Sequence, residues 1–166
     1  IEKNLSNLLP ESEVAALNSR TTKAKLVLNE LGNWSSSQLK SIPAKNRVLL
    51  TQHRAFSHLT KRYGLRELPV IDSFATGGTL RPSSLASIIS EIEKSGSRVL
   101  FTESLPVNKT LKRLSRSSGV PIYKFPLYPD GLAPGGLSTI ETATSNICVI
   151  AKGQGSTCDQ KTADQI

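Results

Sequence analysis

Apolar side chains recur at every third or fourth position through the first part of the chain. This spacing places them on one stripe of a helix that is strongest after Pro10 and is stopped by Pro43. We therefore predict a long helical segment over residues 1–42. A helix of this length serves either as a packing element or as a connector between two domains. The residues on the stripe are Val14, Leu17, Thr21, Ala24, Leu28 and Leu31.

The pattern changes after Arg47, where short apolar runs begin to alternate with helical stretches. Strands and helices in this order form right-handed crossovers and a parallel sheet. The predicted fold class is α/β, with a four-stranded parallel sheet that is flanked by helices and preceded by the long helix. The predicted strands cover 48–50, 68–71, 98–102 and 121–125, and the predicted helices cover about 54–63, 81–95, 107–118 and 140–150.

A residue with a metal-binding side chain follows each predicted strand: His53, Asp72, Glu103 and Asp130. Parallel strands end at the same edge of the sheet, and ligands of open α/β sheets bind there. We therefore expect these residues to share one rim. His53, Glu103 and Asp130 form an imidazole-plus-carboxylate set that suits Zn²⁺, because imidazole selects zinc over magnesium or calcium. On this pattern alone, a hydrogen-bonded or surface role for His53 stays open.

Composition narrows the class of protein. The hydrophobic fraction of 37% and the charged fraction of 20% are typical of a globular domain, and the longest apolar runs are too short to cross a bilayer. The net charge of +8 permits an acidic partner, an anionic membrane or nucleic acid. The basic residues are scattered, which favours a solvated surface. A basic α/β module that binds nucleic acid is the alternative from another class.

Sequence motifs for common enzyme classes are missing from the chain. It has no Gly-x-Ser-x-Gly elbow, no Walker loop and no His-Glu-x-x-His pair. The glycine-containing loop at 75–79 lacks the lysine of a phosphate-binding loop, so a simple connection is the better interpretation. A metal-dependent hydrolase with Asp130 and Glu103 as acid–base groups stays as an enzymatic alternative.

The two cysteines, Cys148 and Cys158, are too few to form a structural zinc site by themselves. Their separation suits a small disulfide loop if the chain resides in an oxidising compartment. Two independent thiols are the equally weighted alternative.

Several segments resemble, in the correct order, the zinc- and manganese-binding solute-binding proteins of ABC transporters. Residues 51–56 follow the pattern Ser/Thr-x-His-x-Ala-Phe of that family, and Tyr63-Gly64 follows at the expected place. The resemblance covers nearly the whole chain. Its other segments are the opening helix with Leu9-Pro10 and Ile42-Pro43, the helix from Arg81-Pro82-Ser83 to Ile92, the strand 99–102 that ends at Glu103, and the strand and loop from Ile122 to Asp130.

The resemblance implies an organisation for the chain. Proteins of this family have two α/β lobes that are joined by a rigid helix and hold a metal ion between them. Residues 1–42 would be the linker helix, and residues 43–166 would be the C-terminal metal-binding lobe. The N-terminal lobe would be absent from this chain. In some members a cysteine stands where Cys148 stands and pairs with an earlier cysteine, whereas here Cys158 is the available partner.

The resemblance also implies a site and a function. His53 and Asp130 would be the metal ligands of this lobe, and Glu103 would orient them. A histidine at the first position is typical of zinc-binding members, so Zn²⁺ is the expected metal and Mn²⁺ the other one to consider. The protein would capture the ion and deliver it to an ABC transporter permease. It would not be an enzyme, and its expected partners are the metal ion, the permease and the missing lobe, with no nucleic acid.

The start of the chain and the resemblance together suggest a location. Methionine is absent, and the chain begins at Ile1 inside a helical pattern, so we expect a processed or excised piece of a longer protein. The resemblance implies a periplasmic or cell-envelope protein, secreted by a signal peptide that this chain does not contain.

Overall fold

The computed structural model describes residues 2–71 and 82–166. It begins with helices α1 (Glu2–Ser6) and α2 (Glu11–Lys40), so the helix predicted over 1–42 is interrupted. Pro10 is the N-cap of α2. It cannot continue a preceding helix, because proline has no N–H group to donate within one. Helix α2 continues through the serines at 35–37, since Trp34, Ser35 and Leu39 are buried against the rest of the fold.

After α2 the elements alternate between strand and helix as far as the second strand, and in the described residues the named elements that follow are helices. A short 3-10 helix at Ala44–Asn46 leads into the first strand. Of the helices in the described ranges, none combines the length and the apolar character needed to cross a lipid bilayer. The elements are β1 (Val48–Thr51), α3 (Ser57–Tyr63), β2 (Arg66–Pro69), α4 (Pro82–Lys94), α5 (Lys109–Ser118), α6 (Thr139–Gly153) and α7 (Gln160–Ala163).

The prediction of a four-stranded sheet is wrong in strand number and right in strand direction. In the described residues the sheet consists of β1 and β2, which run parallel with Val48 opposite Arg66. The segments predicted as the third and fourth strands join it through single parallel bridges, from Leu50 to Leu100 and from Leu100 to Ile122. The sheet therefore keeps a parallel α/β order, but two of its four positions are single-residue contacts.

A buried side chain explains why the ladder beside β1 is short. The Val48 carbonyl, which would accept the next bond from the 98–102 segment, accepts one from Gln154 Nε2 at 2.6 Å and one from Ser97 Oγ at 3.2 Å. The backbone N–H of Arg98 donates to Gln154 Oε1 at 3.1 Å. Because buried backbone groups must be paired, Gln154 satisfies groups that a longer strand would pair.

The core has two parts, one on each side of the sheet, because successive residues of a strand point to opposite faces. Leu49 and Phe101 pack with side chains of α2 and α6. Val48, Leu50 and Leu100 pack with side chains of α4 and α5. The result is a layer of helices on each face. Gly153 lets α6 approach the first of these faces, since a Cβ atom there would lie 2.7 Å from ring atoms of Phe101.

The C-terminal segment is fastened to α2. Cys148 and Cys158 are joined by a disulfide bond, which draws the chain after α6 back toward the helices. The indole N–H of Trp34 donates to the Asp159 carbonyl at 3.1 Å, and the Asp159 N–H donates to Gln38 Oε1 at 3.0 Å. Helix α7 thus holds the last turns of α2 against the lobe.

Candidate metal centre

His53, Glu103 and Asp130 lie around one cavity of about 310 Å³ at the rim where β1 and the 98–102 segment end. The three residues come from turns that are far apart in the sequence, and the parallel direction of the segments before them brings these turns together. Gln52, Ser104, Tyr128 and Pro129 complete the wall of the cavity. Asp72 and the loop at 75–79 lie outside the described residues.

The turn that carries His53 is fixed by its main chain. The His53 N–H donates to Glu103 Oε1 at 3.0 Å. The His53 carbonyl accepts a bond from Thr51 Oγ1 at 2.9 Å and another from the Ala55 N–H at 3.1 Å. The residue itself is exposed. These bonds fix the backbone from which the imidazole extends, because they engage both the N–H and the carbonyl of His53.

Glu103 acts on the His53 turn through its carboxylate. One of its oxygens accepts the His53 N–H across 50 residues of sequence, so the two turns are tied directly to each other. Beside it, the buried Gln52 accepts a bond from Asn108 Nδ2 at 2.9 Å. Gln52 and Glu103 thus each form a hydrogen bond with a segment distant in sequence, and both line the same cavity as the candidate ligands.

Asp130 lies on a long loop between the Ile122 bridge and α6. It is exposed, and Gly131 follows it with a φ of 88°, a left-handed conformation that glycine adopts without strain. The loop is bonded to α6 on both sides of Asp130, through Tyr128 and through Ala133. The loop ends at Ser138, whose hydroxyl and the Glu141 carboxylate form a capping box. These hydrogen bonds with Ser138 lower the pKa of Glu141.

The donor set at the rim fits a transition metal ion in part. An imidazole and a carboxylate are both ligands of Zn²⁺, which prefers four of them. Within residues 2–71 and 82–166, no group of three His, Cys, Asp or Glu side chains is arranged to hold a metal ion. The described part of the chain therefore brings two candidate ligands to this cavity, fewer than the four that Zn²⁺ prefers.

Other chemistry-bearing residues lie away from this cavity. His58 is on α3 and lines a different cavity, beside Leu31 of α2. The basic side chains of α5 project from a helix whose apolar face, Leu111 and Leu114, is buried in the core. The disulfide partners lie beneath the C-terminal segment and are away from the rim.

Two residues that bond the Asp130 loop to α6 did not emerge from the sequence. Asn146 and Thr142 are buried on α6, next to the apolar positions that predicted the helix. A polar pair four residues apart within an apolar helix was the signal that could have found them, because buried polar groups need partners.

Comparison with known proteins supports the resemblance seen in the sequence. Residues 1–153 match the model of a family described as the periplasmic component A of the zinc-uptake complex. The match includes both candidate ligands and α2.

Two curated relatives illustrate the metals involved. The chain is 26% identical over 145 residues to the metal-binding protein YtgA of Chlamydia trachomatis, covering 78% of this chain and 44% of the relative. It is 33% identical over 121 residues to the iron-binding protein YfeA of Yersinia pestis, covering 71% of this chain and 38% of the relative. The chain thus spans less than half the length of these relatives.

Solved structures agree on the fold. The periplasmic zinc-binding protein TroA of Treponema pallidum superposes with a TM-score of 0.74 at 23% identity, covering 92% of this chain and 57% of TroA. The Fe(III)-bound YtgA of Chlamydia trachomatis gives a TM-score of 0.77 at 22% identity, covering 95% and 59%.

Proposed function

Because this chain belongs to the family of periplasmic zinc-uptake components, we propose that it captures a divalent transition metal ion with His53 and Asp130 as ligands. The observation that carries the proposal is the shared cavity, in which an imidazole and a carboxylate from distant turns face the same space. Glu103 supports the two ligands, because its carboxylate accepts the His53 N–H and so holds the His53 turn. The metal ion is the cargo, so its capture requires no bond to be made or broken in a substrate.

Zinc is the proposed cargo, and manganese is the second choice. Imidazole nitrogen is a better ligand for zinc than for hard cations, while a carboxylate serves both. Related proteins carry names that refer to manganese and iron as well, such as the manganese transporter lipoprotein PsaA of Streptococcus mitis and the iron-binding YfeA. The metal is therefore best decided by titration of this chain with each ion.

A second lobe would supply the remaining ligands. The incomplete donor set at the rim needs about two more groups to form the tetrahedral site that zinc prefers. We assign residues 1–42 to a linker and residues 43–166 to the C-terminal lobe. Residues 11–30 of α2 support this division, because most of their side chains are exposed, including Leu26 and Leu28 at 57% and 58%.

Delivery to an ABC transporter permease in the bacterial envelope completes the proposal. The family description and the names of the related transporter lipoproteins support this role. The disulfide between Cys148 and Cys158 supports a location outside the reducing cytosol, where such bonds persist.

Isothermal titration of the chain with ZnCl₂ tests the ligand assignment. We expect weak binding that is weakened further, but stays measurable, in His53→Ala and in Asp130→Ala, because each variant leaves one ligand. His58→Ala is the matched control, since it removes the second histidine of the chain, which lines a neighbouring cavity rather than that of His53 and Asp130. Tight, stoichiometric binding that survives His53→Ala would show that the ion binds elsewhere.

A further inference from the structure

Helix α6 grips the Asp130 loop at two points, one on each side of Asp130. The Asn146 side chain accepts the Tyr128 N–H at 2.9 Å and donates to the Tyr128 carbonyl at 2.8 Å. The Thr142 hydroxyl accepts the Ala133 N–H at 3.0 Å. We propose that Asn146 and Thr142 are positioning residues that hold Asp130 in place for the metal ion. This inference rests on the proposed function.

The two contacts form one device because of their spacing. Residues four positions apart lie on the same side of a helix, so Thr142 and Asn146 present their polar groups to the same stretch of loop. Both are buried, with 5% and 8% of their surface exposed. The Asn146 side chain bonds to both the backbone N–H and the backbone carbonyl of Tyr128, as a neighbouring strand would. The clamp, as we name the Asn146 and Thr142 contacts, therefore encloses residues 128–133.

A loop ligand needs such support more than a strand ligand does. The His53 turn follows β1 directly and is bonded to Glu103, whereas Asp130 lies on a loop between elements. Ordering a free loop on binding costs backbone conformational entropy for every residue that becomes fixed. A loop that is fastened before the ion arrives avoids this cost, so the clamp raises affinity without touching the metal.

The chain offers a matched set of variants. Thr142→Val keeps the size of the side chain and removes the acceptor for the Ala133 N–H. Thr144→Val is the control, because Thr144 is equally buried on α6 and its hydroxyl bonds only to the Glu141 carbonyl of the same helix. Asn146→Ala removes the other contact. Thermal melting of each variant identifies any that fail to fold, and Thr142→Val keeps the test valid if Asn146→Ala unfolds.

Zinc titration followed by NMR measures the effect on the 166-residue chain. We expect Thr142→Val and Asn146→Ala to weaken Zn²⁺ binding by about tenfold, the lower end of the loss seen when groups that orient ligands are removed. Thr144→Val should bind as the unmodified chain does. Amide exchange should rise at Ala133 in Thr142→Val and at Tyr128 in Asn146→Ala.

The same variants made together with Asp130→Ala separate positioning from general stability. A residue that acts through Asp130 has no further effect once Asp130 is gone, which is the logic of a double-mutant cycle. An equal loss of affinity with and without Asp130 would overturn the clamp, as would binding by Thr142→Val that equals binding by Thr144→Val. If Asp130→Ala binds Zn²⁺ as the unmodified chain does, the proposed function itself fails and this inference falls with it.

Discussion

The two ends of helix α2 differ in how deeply their side chains are buried. Toward its C-terminus, Trp34, Ser35 and Leu39 are buried, and Trp34 and Gln38 are bonded to Asp159. Over residues 11–30, which include the N-terminal end, most side chains are exposed, including Leu26 and Leu28. The apolar stripe in the sequence runs along both ends, so periodicity marks a helix but does not say which part of it this lobe covers.

The difference shows which turns of α2 belong to the packed core. The last turns of α2 are part of the packed core, since Trp34 and Leu39 share one cluster with Phe101 and Ile150. The earlier turns contribute little to that core. Energetic tests on the two ends should therefore give very different results.

The largest effect is expected at Leu39, which is completely buried. Leu39→Ala should lower the free energy of unfolding by about 2–5 kcal/mol, because it removes core contacts and leaves a cavity. Leu28→Ala, in the exposed stretch 11–30, should change it by about 0.5 kcal/mol or less. Urea denaturation followed by circular dichroism measures both. Similar losses for the two variants would mean that the ends of α2 are equally engaged.

The disulfide is the next largest contribution on the buried end. Replacing Cys148 and Cys158 together by serine should cost about 2–3 kcal/mol, because a cross-link over 10 residues restricts the unfolded chain. Hydrogen exchange should rise in the last turns of α2, around Trp34 and Gln38, and stay unchanged in its first turns. Unchanged exchange around Trp34 would show that the C-terminal segment holds its place without the bond.

The smallest effect concerns acid. Hydrogen bonds from Thr162 lower the pKa of Asp159 below its ordinary 3.8. The charged carboxylate therefore stabilises the fold fully above that value, and its contribution is lost as the pH falls through the lowered pKa. Trp34, the single tryptophan, reports the change by fluorescence because it bonds to Asp159.

Asp159→Asn is the control for this titration. Asparagine can cap α7 as aspartate does but carries no charge to lose. The Trp34 fluorescence of this variant should therefore vary less than that of the unmodified chain between about pH 5 and about pH 2, a range that brackets the ordinary carboxyl pKa. An identical acid response in both proteins would mean that other carboxylates, such as Glu141, govern the change.

Direction and connectivity could be predicted from the sequence, and side-chain pairing could not. Alternating strands and helices imply parallel segments, and these bring His53, Glu103 and Asp130 to one cavity. The length of the third strand, predicted over 98–102, was overestimated, because the Gln154 side chain takes the place of a ladder bond at Val48 from 106 residues away. The contacts of Asn146 with Tyr128 could not be predicted for the same reason, because the hydrogen-bond partner of a buried amide depends on which backbone groups the fold brings beside it.

The prediction of the buried helix face also failed at Leu28, because it too depends on contacts with distant residues. Spacing assigned Leu28 to the buried stripe, but the side chain is 58% exposed. A periodic pattern identifies a face of a helix, whereas the partner that covers this face is decided by the rest of the molecule. The comparison of the two ends of α2 therefore required the structure.

The short sheet has a consequence for how this lobe meets other proteins. In the described ranges its outer members are β2, which ends at Pro69, and the Ile122 segment, which begins at Pro121 and continues to Lys124. Proline and lysine at a sheet edge discourage the addition of a foreign strand, because proline cannot donate a backbone hydrogen bond and lysine resists burial. Edge-to-edge aggregation is thereby disfavoured, and association is left to side-chain surfaces such as the rim and the exposed turns of α2.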